Sequence, residues 1–91
     1  MNIVYFKSFD RSYQSLPDKT QNLIDQAIER FLKNIPKGTR PQGMGLRLLR
    51  HPIWKIRVGL KYRILIQLKN DSITFIFVGN HDEVKRFLKN F

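Results

Sequence analysis

Apolar side chains change their spacing three times along this 91-residue chain, and each change marks a boundary between predicted elements. Residues 3–9 mix β-branched and aromatic types and predict a first strand. Phe9, Tyr13 and Leu16 then recur at helical spacing, so a short helical turn over residues 10–15 is expected to carry all three on one side. Pro17 followed by Asp18 opens a second helix, because proline lacks only a donor that the first turn leaves orphaned anyway. Leu23, Ile24, Ala27, Ile28, Phe31, Leu32 and Ile35 follow the i, i+3, i+4, i+7 pattern, while Asp25, Gln26, Glu29, Arg30 and Lys33 take the other face. Pro36 and Gly38 are expected to stop this helix, and residues 37–45, with Gly38, Pro41, Gly43 and Gly45, predict a loop.

Beyond the loop the period falls to two. Residues 46–50, 53–58, 62–68 and 73–78 form four short runs separated by turn-compatible His-Pro, Gly-Leu-Lys and Lys-Asn-Asp-Ser connections. Connections this short imply an antiparallel meander. Val84, Phe87, Leu88 and Phe91 return to helical spacing after Asn80, a suitable N-cap with Asp82 and Glu83 in the favourable first turn. The expected fold class is α+β in a single domain over residues 1–91: an N-terminal strand, two helices, a four-stranded antiparallel meander and a C-terminal helix. Seven Phe, three Tyr and one Trp supply core material, and the chain has no cysteine, which rules out disulfides and thiolate zinc sites. The apolar run near the N-terminus is too short for a signal peptide or a membrane span, so a cytoplasmic location is expected.

Charge sharpens the picture. From residue 30 to residue 70 there is no acidic side chain, whereas the same window holds eleven Lys and Arg residues. Such a field attracts polyanions over at least a Debye length, and nucleic acid is the first partner it suggests; a merely solubilising basic surface is the plainer account. Strand alternation puts Trp54, Ile56 and Val58 on one face with Lys55 and Arg57 on the other, and sets Tyr62, Ile64, Ile66 and Leu68 opposite Arg63. If the apolar set faces the helices, Lys55, Arg57 and Arg63 line the uncovered and twisted face of the sheet, which suits a phosphate backbone and is equally the make-up of an ordinary solvated face.

His81 opens the last helix at the end of the last strand. A positive helix end and nearby cations disfavour its protonation, leaving an imidazole able to accept a proton, although capping and surface roles are common for a lone histidine. His51 before Pro52 is explained by its turn alone. The sequence has no phosphate-binding glycine loop and no His/Asp/Glu spacing for a metal ion, so no cofactor and no metal are expected. Metal-independent cleavage of RNA remains feasible, the 2′-hydroxyl attacking its own phosphorus while a base takes the proton and cations balance the developing charge.

Three strings carry a family resemblance: Trp54-Lys55-Ile56-Arg57-Val58-Gly59, Lys61-Tyr62-Arg63-Ile64-Leu65, and Ile76-Phe77-Val78-Gly79-Asn80-His81-Asp82-Glu83-Val84. With the order of elements and the Ser15-Leu16-Pro17 helix opening, they resemble the RelE/ParE toxin superfamily of bacterial type II toxin–antitoxin systems over nearly the whole chain. RelE-like members are ribosome-dependent endoribonucleases that cut mRNA in the A site; ParE-like members inhibit DNA gyrase on the same fold. The resemblance implies a toxin in a hetero-oligomer with a cognate antitoxin, acting on mRNA and the ribosome. It assigns catalysis to Arg63, His81 and Arg57, and RNA binding to Lys55, Arg47, Arg50, Lys61 and Lys85. Many relatives carry a tyrosine where this chain has Lys85, which can contact phosphate but cannot stack on a base in the same way. A gyrase inhibitor and a catalytically silent, antitoxin-binding member are the alternatives.

Overall fold

The computed structural model describes residues 2–34, 45–69 and 71–91. Its elements are β1 (Asn2–Tyr5), α1 (Lys7–Gln14), α2 (Asp18–Asn34), β2 (Arg47–Arg50), β3 (Ile53–Val58), β4 (Tyr62–Lys69), β5 (Ser72–Asn80) and α3 (His81–Lys89). The expected stop of α2 at Pro36 and Gly38, its last apolar position Ile35, and most of the expected loop lie outside the described residues.

The first strand is shorter than its composition suggests. It ends at Tyr5, and Phe9 belongs to a helix, because the chain meets the end of its pairing with β5 there. The Phe6 amide donates to the Phe75 carbonyl at 3.0 Å, and α1 then takes over the edge of β5 with side chains. Ser8 Oγ donates to the Ile76 carbonyl at 2.5 Å, and the Val78 amide donates to Ser12 Oγ at 3.1 Å. Two serines one helical turn apart thus satisfy edge groups that a fifth ladder residue would otherwise have paired.

The sheet has the order β1-β5-β4-β3-β2. Strands β2 to β5 form the expected antiparallel meander, but β1 joins beside β5 in parallel, so the sheet is five-stranded and mixed. One face packs on α1 and α2 through Phe9, Ile24, Phe31, Trp54, Ile56 and Phe75, with Tyr13, Leu16, Tyr62 and Leu68 partly buried around them. Phe31 and Phe75 are completely buried, and a burial of that kind contributes about 1.5–3 kcal/mol per side chain. In α2 the buried stripe runs through Thr20, Ile24, Ala27, Ile28 and Phe31, whereas Leu23, expected in the core, is 52% exposed. At roughly 100° per residue Leu23 falls outside the arc centred on Ile24 and Phe31, and Thr20 falls inside it.

The opposite face is not left bare along its whole length, as the alternation alone suggested. Helix α3 covers one end of it, burying Ile53, Leu65, Ile76 and Val84 with Phe77, Phe87 and Leu88 beside them. Phe87 stacks on Phe77 at 4.4 Å and on Phe91 at 5.3 Å. The helix starts where the sequence places it, since Asn80 accepts from the Glu83 amide while the Glu83 carboxylate accepts from the Asn80 amide, both at 2.8 Å. What α3 leaves uncovered is the end of the sheet face that carries the cations.

Candidate nucleic-acid interface

Period-two alternation turns Lys55 and Arg57 of β3 and Arg63 of β4 away from the helical layer, and pairing decides how they meet. Arg57 lies directly opposite Arg63, and Lys55 lies directly opposite Arg47 of β2. Like charges set across a ladder repel, so the fold maintains this arrangement against its own electrostatics. Together with Gly45 and Leu46 these four side chains line a polar cleft of about 250 Å³. Among the described residues no carboxylate lines it.

Gly45 makes the cleft possible. It has φ +66°, and a methyl group there would lie 2.7 Å from the Arg57 Cβ, so only glycine allows the backbone to close against β3. Its carbonyl accepts from the Arg57 amide at 3.3 Å, which fixes the start of β2 beside the arginine. Arg63 Nη1 donates to the Tyr62 carbonyl at 3.0 Å and is half-buried, a restraint that aims its guanidinium. Lys55 responds to its neighbours: desolvation first, then repulsion from Arg63, Arg47 and Arg57, holds its ammonium below the usual lysine pKa.

The remaining candidates stand apart from this cleft. His81 is exposed as the first residue of α3, two positions beyond Gly79, the cross-strand partner of Arg63. Lys85 is exposed one turn further along the same side of that helix. Lys61 lies in the β3–β4 turn with its Nζ 5.5 Å from the centre of the Tyr62 ring. Arg50 ends β2 and reaches the Phe91 carbonyl at 3.4 Å, which ties the C-terminal residue to the sheet edge. The structure therefore gathers Arg47, Lys55, Arg57 and Arg63, sets His81 at the Arg63 end, and leaves Arg50, Lys61 and Lys85 outside the lining. Sequence reasoning missed Gly45 and Leu46 as walls of the cleft, although the mixture of glycine and basic residues before β2 was the available signal. Among the described residues no three His, Asp or Glu side chains come together to hold a metal ion, and no helix is long and apolar enough to cross a membrane.

No family model and no curated protein matches the sequence. Solved structures do match its fold. A chain of the RelB–RelE antitoxin–toxin complex from Methanococcus jannaschii aligns with a TM-score of 0.72 at 21% identity, covering 92% of this chain and 96% of that one. A chain of the E. coli DinJ–YafQ toxin–antitoxin complex gives 0.73 at 12% identity over 91% and 94% of the two chains. The isolated E. coli RelE toxin gives 0.67 at 12% identity over 99% and 98%. The order of strands and helices that builds the cationic cleft is thus the fold of the RelE/ParE-like toxins.

Proposed function

We propose that this chain is the toxin of a type II toxin–antitoxin system and that it cuts mRNA at the ribosomal A site without a metal ion. The observation that carries the proposal is the cleft itself, in which Arg47, Lys55, Arg57 and Arg63 converge without a carboxylate. A phosphodiester seated there is surrounded by donors on the side where charge develops. The 2′-oxygen bonds to phosphorus as the P–O5′ bond breaks, giving a cyclic phosphate and a 5′-hydroxyl end. His81 takes the 2′-hydroxyl proton, and Arg63, held by its bond to the Tyr62 carbonyl, balances the charge on the phosphoryl oxygens. Lys55, whose proton is loosened by burial and by three arginines, is the cleft cation best suited to protonate the leaving oxygen. Arg57 and Arg47 bind the flanking backbone, and a cognate antitoxin that covers the cleft keeps the protein inactive.

End-labelled mRNA incubated with the protein, with and without translating ribosomes, tests this directly. Expected are cuts in frame within codons, appearing only with ribosomes. Arg63→Ala and His81→Ala should each lower the cleavage rate by about 100-fold or more, the scale of losing a charge stabiliser or a general base, while circular dichroism stays unchanged. Cleavage that survives both substitutions refutes the assignment. Growth arrest with intact mRNA moves the activity to a protein target such as gyrase.

A further inference from the structure

Strand β2 carries its two arginines at i and i+3, a spacing that strict alternation sends to opposite faces. In the folded chain they share a face. Leu48 pairs with Trp54 and Arg50 with Ile53, so Leu49 is an extra residue, a bulge that turns Arg50 to the side on which Arg47 meets Lys55. Ile53 is packed under α3 on that same face. Arg50 thus stands roughly 10 Å along β2 from Arg47, beyond the mouth of the cleft, since each strand residue advances the chain by about 3.3 Å.

A ladder of rings ends beside it. Phe77 of β5, Phe87 of α3 and Phe91 stack in succession, with centroids 4.4 and 5.3 Å apart and interplanar angles of 15° and 29°. Phe77 and Phe87 are half-buried, whereas Phe91 is 47% exposed, so the last ring is open to solvent. The Phe91 carbonyl accepts from Arg50 Nη2 at 3.4 Å, which keeps the guanidinium close to that ring. Helix α3 adds further cations. Glu83, Arg86, Phe87 and Asn90 line a hollow with Phe77 of β5 on one flank, so His81, Lys85 and Lys89, at i, i+4 and i+8, lie on the flank toward β4 and β3. All three are exposed, and neither β2 nor the part of α3 beyond Glu83 contains a carboxylate.

An exposed aromatic face set among cations selects its ligand by chemistry. An apolar peptide leaves the cations without partners, and an acidic peptide offers the ring no planar surface. A nucleotide supplies both halves, a base for the ring and a phosphate for the guanidinium. We propose that the RNA strand leaves the cleft along β2, that the Phe91 ring stacks on a base next to those in the cleft, and that Arg50 binds the adjoining phosphate, with Lys89 facing the strand from α3. This subsite rests on the reading of the cleft as an RNA site. It provides stacking away from position 85, where a lysine cannot, and it accepts any base because every base has a π-face.

Oligonucleotides methylated at every 2′-oxygen bind but cannot be cut, and fluorescence anisotropy with them tests the subsite apart from cleavage. One strand is short enough to fill only the cleft, and two others extend it by a few nucleotides at the 5′ or the 3′ end. One of the extensions is expected to raise affinity about tenfold, the scale of a base stacked on an aromatic ring. Phe91→Leu should abolish that gain and leave the short strand unaffected. An abasic nucleotide at the stacking position should abolish it in the wild type and make no further difference in Phe91→Leu. Phe91→Trp should keep the gain and lose indole fluorescence on binding the extended strand, a loss that the parent protein with Trp54 alone does not show. Arg57→Gln should weaken every strand. Equal affinities for short and extended strands, or a gain that survives Phe91→Leu, would overturn the subsite while the Arg57→Gln effect keeps the cleft. If Arg57→Gln changes nothing and Phe91→Leu still weakens the extended strand, the cleft reading fails and the stacking subsite stands.

Discussion

At Lys55 stability and binding pull in opposite directions. Its ammonium is surrounded by Arg47, Arg57 and Arg63, and its pKa is lowered by desolvation and then by those charges. The native state therefore holds this proton less tightly than the unfolded chain. Between the lowered pKa and the ordinary value of 10.5 the unfolded chain binds more protons, so the penalty is fully present at neutral pH and is relieved as pH rises through that window. Lys55→Met is expected to raise the urea midpoint at pH 7 while weakening RNA binding. Because the group remains largely solvated, the gain is on the order of a few tenths of a kcal/mol. A variant that unfolds more easily would show that Lys55 makes stabilising contacts that outweigh the repulsion. Lys55, Arg57 and Arg63 were legible as neighbours from the alternation of two strands. Arg47 and Gly45 were not, because their approach depends on the register of β2 against β3 and on a positive φ, and neither leaves a mark in residue spacing.

Helix α3 links the second core cluster to the rim of the cleft, and its first turn is held by the reciprocal Asn80–Glu83 bonds. Removing the cap with Asn80→Ala should cost about 1 kcal/mol and fray the turn that carries His81. The expected outcome is a lower urea midpoint together with reduced RNA cleavage, and Asn80→Asp, which restores a capping acceptor, should recover both. Unchanged cleavage in a destabilised alanine variant would separate His81 from the chemistry. This cap was readable from Asn80, Asp82 and Glu83 because capping is local. The N-terminal elements were less readable for the converse reason: β1 ends at Tyr5 because its partner β5 lies about seventy residues away in sequence and because Ser8 and Ser12 complete the edge instead. Composition alone favoured a longer strand.

On the scale of the whole molecule, the net charge of +10 is spread over many side chains, of which Arg47, Lys55, Arg57 and Arg63 line the cleft. The two contributions to the proposed RNA binding separate under salt. The overall field steers encounter and fades once the Debye length falls below the molecular dimensions, whereas cations in contact with phosphate release counterions in fixed number. If Arg47, Lys55, Arg57 and Arg63 make the contacts, single-stranded RNA should bind with log K falling against log salt at a slope of about −2.8, four contacts at about 0.7 each. Arg57→Gln should make the slope shallower by about 0.7, while Arg30→Gln, on the exposed side of α2, should slow association at low salt and leave the equilibrium slope unchanged. A slope twice as steep would mean that RNA lies across the wider basic surface rather than in the cleft. An Arg57 variant with the wild-type slope would remove that arginine from the phosphate contacts and with it the reason for setting it directly opposite Arg63.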